Sequence, residues 1–180
     1  VRETDTETHD EFAEFAASRA PWLRRTAYLL SGDWHTADDL TQTAITSLYL
    51  HWPRVHRMEN PDGYARTTLF NAFLAERRSP WRRVLLRFEK EPLAPVTDVD
   101  SILDLREALA ALPPRQRATV VLRYYCELSV EQAAETLNCS PGTVKSQTAR
   151  GLDALRRALE LRHHHDPQEP LHPVTEGSRT

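Results

Sequence analysis

The stretch Ser129–Ser146, SVEQAAETLNCSPGTVKS, reads as two short helices around a tight turn. Ser129 stands where a side-chain oxygen caps a helix start, and Gln132 three residues on completes a capping box. Ser140 repeats the cap for a second helix, with Pro141 at its first position, where the missing N–H costs nothing. Between them, Asn138 suits the left-handed backbone that ends a helix. These signals predict a helix-turn-helix, a motif whose second helix enters the DNA major groove.

That second helix sorts into two faces. Val144, Thr148, Gly151 and Leu155 recur at four- and three-residue steps and form a small, mostly apolar stripe. Thr143, Ser146, Gln147 and Arg150 lie on the other side, with Lys145 on the flank. Each can donate to a phosphate or a base edge, and Arg and Gln make paired bonds to guanine and adenine. A solvated amphipathic helix that touches nothing would not require caps, turn and faces to agree.

Outward from this motif, helical periodicity covers most of the chain. Phe12, Phe15, Ala16, Trp22, Leu23, Thr26, Ala27 and Leu30 predict an amphipathic helix over residues 9–30, broken by Ser31-Gly32-Asp33. Thr36, with Asp39 three residues later, predicts the next start. Its stripe is Ala37, Leu40, Ala44, Ile45, Leu48, Tyr49 and Trp52, and Pro53 is expected to end it nearby. Asn60 caps a third helix reaching Arg78, with Ala65, Leu69, Ala72 and Phe73 inward. Together these make a bundle-like first domain over residues 9–80.

Periodicity fails from Glu89 to Ser101, where Pro92 and Pro95 sit in an acidic stretch; residues 81–101 are expected to be an extended linker. It returns with Ile102, Leu105, Leu109 and Leu112. Pro113-Pro114 then stops one helix and starts another, with Ala118, Val121, Leu122 and Tyr125 inward. The second domain thus spans residues 102–162, and residues 163–180 are expected to be a disordered tail. The fold class is all-α: two small helical domains, the second ending in the helix-turn-helix.

The chain has 180 residues, enough for one domain or two small ones, and its 40% hydrophobic and 27% charged composition is that of a folded protein. No apolar run reaches the ~18 residues of a membrane span, and the acidic start Val1-Arg2-Glu3-Thr4-Asp5 is unlike a signal peptide, so a cytoplasmic location without membrane contact is expected. The net charge of −3 is unusual for an autonomous DNA binder, whose affinity comes largely from neutralising phosphate. Charge is instead segregated. Residues 1–15 carry Glu3, Asp5, Glu7, Asp10, Glu11 and Glu14 against Arg2, whereas residues 77–87 carry Arg77, Arg78, Arg82, Arg83 and Arg87 without an acid. Such a chain suits delivery to DNA by a partner. Cys126 and Cys139 form no Cys-x-x-Cys pair and read as small buried hydrophobes. His163-His164-His165, with His172, lie in a Pro-rich tail without a scaffold, so no metal or other cofactor is expected.

Four motifs in this order resemble the extracytoplasmic-function (ECF, group IV) sigma factors of the sigma-70 family, over residues 12–160. Ala37-Asp38-Asp39-Leu40-Thr41-Gln42 is similar to the segment that grips the clamp helices of RNA polymerase. Asn60-Pro61, Tyr64-Ala65-Arg66, Asn71 and Arg77-Arg78 resemble the helix that recognises and melts the −10 element. Leu112-Pro113-Pro114-Arg115-Gln116-Arg117 resembles the opening of the second lobe, and Gly142-Thr143-Val144-Lys145-Ser146 the start of the −35 recognition helix. Trp34 after Gly32-Asp33, and Trp52-Pro53-Arg54-Val55, resemble an actinobacterial, SigE-like branch. Gln147 stands where the family usually has Arg, Thr148 where an apolar residue is common, and Thr43 where many members have Glu.

The resemblance implies a non-enzymatic subunit that binds core RNA polymerase, at its clamp helices and flap, and directs it to promoters. An anti-sigma factor is a further implied partner. Polymerase contacts would come from Asp38, Asp39, Leu40 and Gln42; −10 contacts from Tyr64, Arg66, Asn71, Arg77 and Arg78; −35 contacts from Thr143, Lys145, Ser146, Gln147 and Arg150. Each has a plainer reading. Asp38 and Asp39 also suit a helix dipole, Tyr64 also suits a core, and the arginines also suit a solvated face. Single strands bind by stacking on aromatics within a basic groove, which favours the DNA reading of the third helix.

Thirteen extended residues from Glu89 to Ser101 reach at most ~43–47 Å. Promoter elements about 17 base pairs apart, as the family's are, lie ~58 Å apart; the widths of the two lobes supply the difference. Two other functions compete. A response-regulator-type transcriptional regulator has a similar Thr-Val-Lys helix but needs a receiver half, and residues 1–100 show no parallel-sheet pattern. An enzyme acting on nucleic acid would need a metal cluster, phosphate loop or nucleophile constellation, and the sequence offers none.

Overall fold

A computed structural model describes residues 2–78 and 99–163. The first lobe contains α1 (Arg2–Ser31), α2 (Trp34–Val55) and α3 (Pro61–Arg78). The second contains α4 (Val99–Ala111), α5 (Pro114–Val120), a π-helical turn (Val121–Tyr125), α6 (Val130–Leu137) and α7 (Pro141–His163). The expected linker lies outside the described residues except at its end, where Val99–Ser101 already belong to α4, and the expected tail lies outside them after His163.

Local chemistry sets the boundaries. Asp33 caps α2, accepting from the His35 and Thr36 N–H groups at 3.0 and 2.9 Å. Thr36 is therefore the third residue of α2 rather than its start, and Asp38 and Asp39 lie beyond the first turn, where the helix dipole has faded. Pro53 sits inside the last turn of α2, which ends two residues further on, at Val55. Asn60 caps α3, its Oδ1 accepting from the Gly63 N–H at 2.7 Å.

Leu23, Leu30, Leu48, Leu69 and Phe73 are fully buried among α1, α2 and α3, as the spacing predicts. Phe70 and Leu74 are buried too, because α3 is covered on more than one side: it packs on α1 and α2 and also on α5 and α6 of the second lobe. One apolar core accordingly runs through both lobes, from Phe12, Leu23 and Phe70 to Ala118, Val121, Leu122, Ala133 and Val144. A smaller core joins Ala108, Leu109, Leu112, Val120 and Leu155. The two lobes touch directly, an arrangement that periodicity alone did not predict.

The π-helical turn explains one displaced side chain. The Cys126 N–H bonds the Val121 carbonyl five residues back, at 3.0 Å. The extra residue in this wider turn shifts the side chains around the helix axis. Tyr125, expected inward with Ala118, Val121 and Leu122, is 41% exposed instead. Tyr49, also expected inward, is half-exposed and packs its edge on Phe12 at 5.1 Å.

Candidate polymerase and promoter surfaces

The helix-turn-helix forms as its caps predict. Ser129 Oγ accepts from the Gln132 N–H at 3.1 Å, and Gln132 Oε1 accepts from the Ser129 N–H at 2.9 Å. Asn138 adopts φ 47°, ψ 58°, and its N–H bonds back into α6. Ser140 Oγ accepts from the Thr143 N–H at 3.1 Å and opens α7. Val144 is fully buried, Gly151 and Leu155 are buried, and Thr148 is half-buried. Opposite them, Lys145, Ser146 and Arg150 are exposed, while Thr143 and Gln147 are half-buried. The five side chains read as −35 contacts thus lie along the outer side of one cap-fixed helix.

Gly151 is required by packing. A Cβ there would lie 2.7 Å from Val120 Cγ2, so α7 and α5 approach as closely as a glycine permits.

On α2, Asp38, Asp39 and Gln42 are exposed, but Leu40 is 3% exposed and belongs to the core. Leu40 anchors the helix and offers no surface to a partner, which corrects its reading as a contact. Asp39 and Gln42 instead share a shallow groove with Thr43, Thr46, Ser47 and Leu50. Leu50 is 69% exposed, a residue the sequence reading passed over. Its signal was its step of four from Thr46 and eight from Gln42, along one helix face.

Asp38 is engaged within the lobe. Arg24 of α1 grips it through two nitrogens, and this hydrogen bonding holds the Asp38 carboxyl below the usual carboxylate range. The same guanidinium lies 4.4 Å from the centroid of Trp34, which stacks on Tyr28 at 4.0 Å.

The residues read as −10 contacts divide. Asn71 is exposed on α3. Tyr64 is half-buried against the core, 6.2 Å from His51. Arg66 is half-buried, and its Nε is buried without a hydrogen-bond partner. Arg77 and Arg78 close α3, and their side chains lie outside the described residues.

Residues 15–83 match the family Sigma-70 region 2, and residues 102–155 match Sigma-70, region 4. The RNA polymerase sigma-E factor of Streptomyces coelicolor is 36% identical over 160 residues, covering 84% of this chain and 88% of its own. The chain is an ECF sigma factor of the sigma-70 family. Its affinity is for the actinobacterial SigE-like branch: the ECF RNA polymerase sigma factor SigE of Mycolicibacterium smegmatis is 35% identical over 159 residues, covering 81% of this sigma factor and 60% of its own length. Among solved structures, the sigma factor RpoE of Bartonella quintana, in complex with the anti-sigma factor NepR, superposes with a TM-score of 0.70 at 26% identity, covering 84% of this chain and 98% of its own.

As an alternative sigma factor, the protein directs promoter-specific transcription. Among the described residues of this sigma factor every regular element is helical, which leaves no sheet for a receiver half, and no helix is long and apolar enough to cross a membrane.

Proposed function

We propose a division of labour between the two lobes of this sigma factor. The α2 groove of Asp39, Gln42, Thr43, Thr46, Ser47 and Leu50 docks on the clamp helices of core RNA polymerase. Asp38 joins it once Arg24 gives it up. The outer side of α7 reads the −35 duplex: Arg150 and Gln147 address base edges, while Lys145, Thr143 and Ser146 hold phosphates. Asn71, Arg66, Tyr64, Arg77 and Arg78 serve the −10 strand. The protein contributes binding and no catalytic step of its own. It works in the cytoplasm, and an anti-sigma factor, of the kind seated on the Bartonella quintana relative, is its expected antagonist.

The observation that carries this reading is the pairing of an acidic, polar groove on one lobe with a polar helix-turn-helix face on the other. A net charge of −3 then makes sense, since the polymerase supplies much of the hold on DNA. Run-off transcription on a genomic promoter library tests it. Specific transcripts should form only when the protein is mixed with core enzyme. Tight operator binding by the isolated protein at physiological salt would favour a self-sufficient regulator.

A further inference from the structure

The loop between α2 and α3, residues 56–60, is short and turned largely to solvent. Arg57, Met58, Glu59 and Asn60 are exposed, and Met58 at its middle is an apolar side chain 43% exposed. The loop runs directly into the first turn of α3, where Tyr64 stands. Both of its ends are held by one side of α1.

The near end is held by ring packing. Val55 is fully buried, and His56 Nδ1 lies 2.7 Å from the Trp52 carbonyl oxygen. Arg57 Nε donates to His56 Nε2 at 3.2 Å, so Nε2 is the acceptor and Nδ1 carries the proton. Trp52 packs on Phe15 of α1, with ring centroids 5.0 Å apart. The far end is held by charge. Arg19, one turn after Phe15, donates from Nε to Asp62 Oδ1 at 2.5 Å and from Nη2 to Asp62 Oδ2 at 2.9 Å. Its guanidinium lies 5.8 Å from the centroid of the Phe15 ring. Phe15 and Arg19, neighbours on one face of α1, thus reach the start of the loop through Trp52 and its end through Asp62.

An ion pair with side chains 44% and 49% exposed adds little to stability. Asp62 also suits the first turn of α3 through the helix dipole. Neither role needs two parallel bonds. A guanidinium fork on a carboxylate fixes direction as well as distance. Here it fixes where the first turn of α3 sits against α1. Asn60 tightens the same turn: its Oδ1 accepts from the Gly63 N–H at 2.7 Å, and a Cβ on Gly63 would fall 2.7 Å from Asn60 Nδ2, so the glycine leaves the cap its room.

We propose that Arg19, on a helix assigned no DNA contact, is a positioning residue for −10 reading: through Asp62 it holds the loop and the first turn of α3 in the one arrangement that presents Met58 and Tyr64 to the −10 strand. Base reading then depends on a residue that touches no base. Cutting the fork leaves the buried core of the lobe in place but frees the loop to take other arrangements, and a recognition site held loosely loses precision. Matched and mismatched bases are then bound more nearly alike, and specificity is the difference between them.

This role rests on the assignment of α3 to the −10 element. Full-length Arg19→Ala, Asp62→Ala and the double variant are each assembled with core polymerase. Run-off transcription is measured on a promoter recovered from a genomic library, on its single-base −10 variants and on its single-base −35 variants. Each single substitution should lower the preference for the recovered −10 element by about fivefold, the lower end of what one well-placed base contact contributes. The double variant should be no worse than either single one, because the pair acts as a unit. Core affinity, −35 preference and thermal midpoint should stay those of the unaltered chain. Undiminished −10 preference in Arg19→Ala overturns the positioning role. An equal loss of −10 and −35 preference, or a matching fall in thermal midpoint, overturns it too, since either marks a general loosening of the lobe. Absence of any preference among −10 variants in the unaltered chain would instead overturn the assignment of α3, and the positioning role with it.

Discussion

Arg24 and Asp38 form a two-point ion pair between α1 and α2, with Nη2 3.0 Å from Oδ2, at the edge of the groove read as the polymerase site. Asp39 is its immediate neighbour in sequence, yet among the described residues its carboxylate meets a looser contact, His35 at 3.7 Å. Adjacent acids on one helix therefore start from different conditions. Asp39→Ala should weaken binding to core polymerase on the order of tenfold, as loss of a central contact does. Asp38→Ala should cost less binding but release Arg24 from Trp34, visible as a change in tryptophan fluorescence. Titration of labelled protein with core enzyme measures the first effect and an emission spectrum the second.

Arg150 and Lys145 should separate base reading from phosphate holding. Arg150→Ala should cost −35 duplex binding about 1–3 kcal/mol and relax preference at one base pair. Lys145→Ala should weaken all duplexes alike and lower the salt slope by about one. Holoenzyme binding to promoter variants across a salt series distinguishes the two.

Gly151→Ala is a case where two effects oppose. Replacing glycine inside a helix normally stabilises by about 1 kcal/mol. Here the new methyl meets Val120 Cγ2 at 2.7 Å, with the Gln116 backbone carbonyl 3.5 Å away. Val120 is β-branched and stiff, so it does not yield easily. Overpacking costs about 1–3 kcal/mol and should win. Chemical denaturation should show a lower midpoint with an unchanged slope.

Acid should weaken the first lobe at a definite point. Burial pushes the Asp33 carboxyl up, but hydrogen bonds from Thr36 and His35 outweigh it and leave it below the usual range. Asp38 is lowered by its hydrogen bonds from Arg24, against some desolvation. Both folded values lie below the unfolded ones. The stabilisation is therefore full above the ordinary carboxylate range, about pH 4, and is lost as pH falls through the folded values. Thermal unfolding should be flat from about pH 7 to 5 and decline below about 4. Asp33→Asn keeps a good cap and should flatten that decline.

Cys126 should be a slow nucleophile. Burial pushes its thiol up to about 11, slightly countered by the Arg66 charge. So high a value leaves at least a roughly hundredfold smaller thiolate fraction near pH 8 than an ordinary thiol has. Alkylation of this position, followed by peptide mass, should be far slower than that of a small free thiol.

The helix-turn-helix was legible in full because its signals are local. Ser129, Gln132, Asn138, Ser140 and Pro141 each act on backbone within a few residues, and each acts as its chemistry predicts. Leu40 carried two readings, inward by its helical spacing and polymerase contact by resemblance, and its burial agrees with the spacing. Burial on α2 is set by α1 and α3, and Leu40 falls on their side. Tyr125 was misread because an ordinary helical period was carried through a π-helical turn, which no residue type announces. Phe70 and Leu74 were left out of the third helix's stripe for another reason. One periodic stripe accounts for one neighbour, and α3 has two sets.

The chain by itself determined the elements, their order, their caps and the residue types offered to polymerase and DNA, because those follow from short-range backbone chemistry and from motifs read along a line. Only the tertiary structure decided that Arg117 crosses to Leu30, that Arg24 already holds Asp38, and that the two lobes share a core. Those contacts join residues 14 to 87 positions apart, and no local period or cap encodes a pairing at that separation.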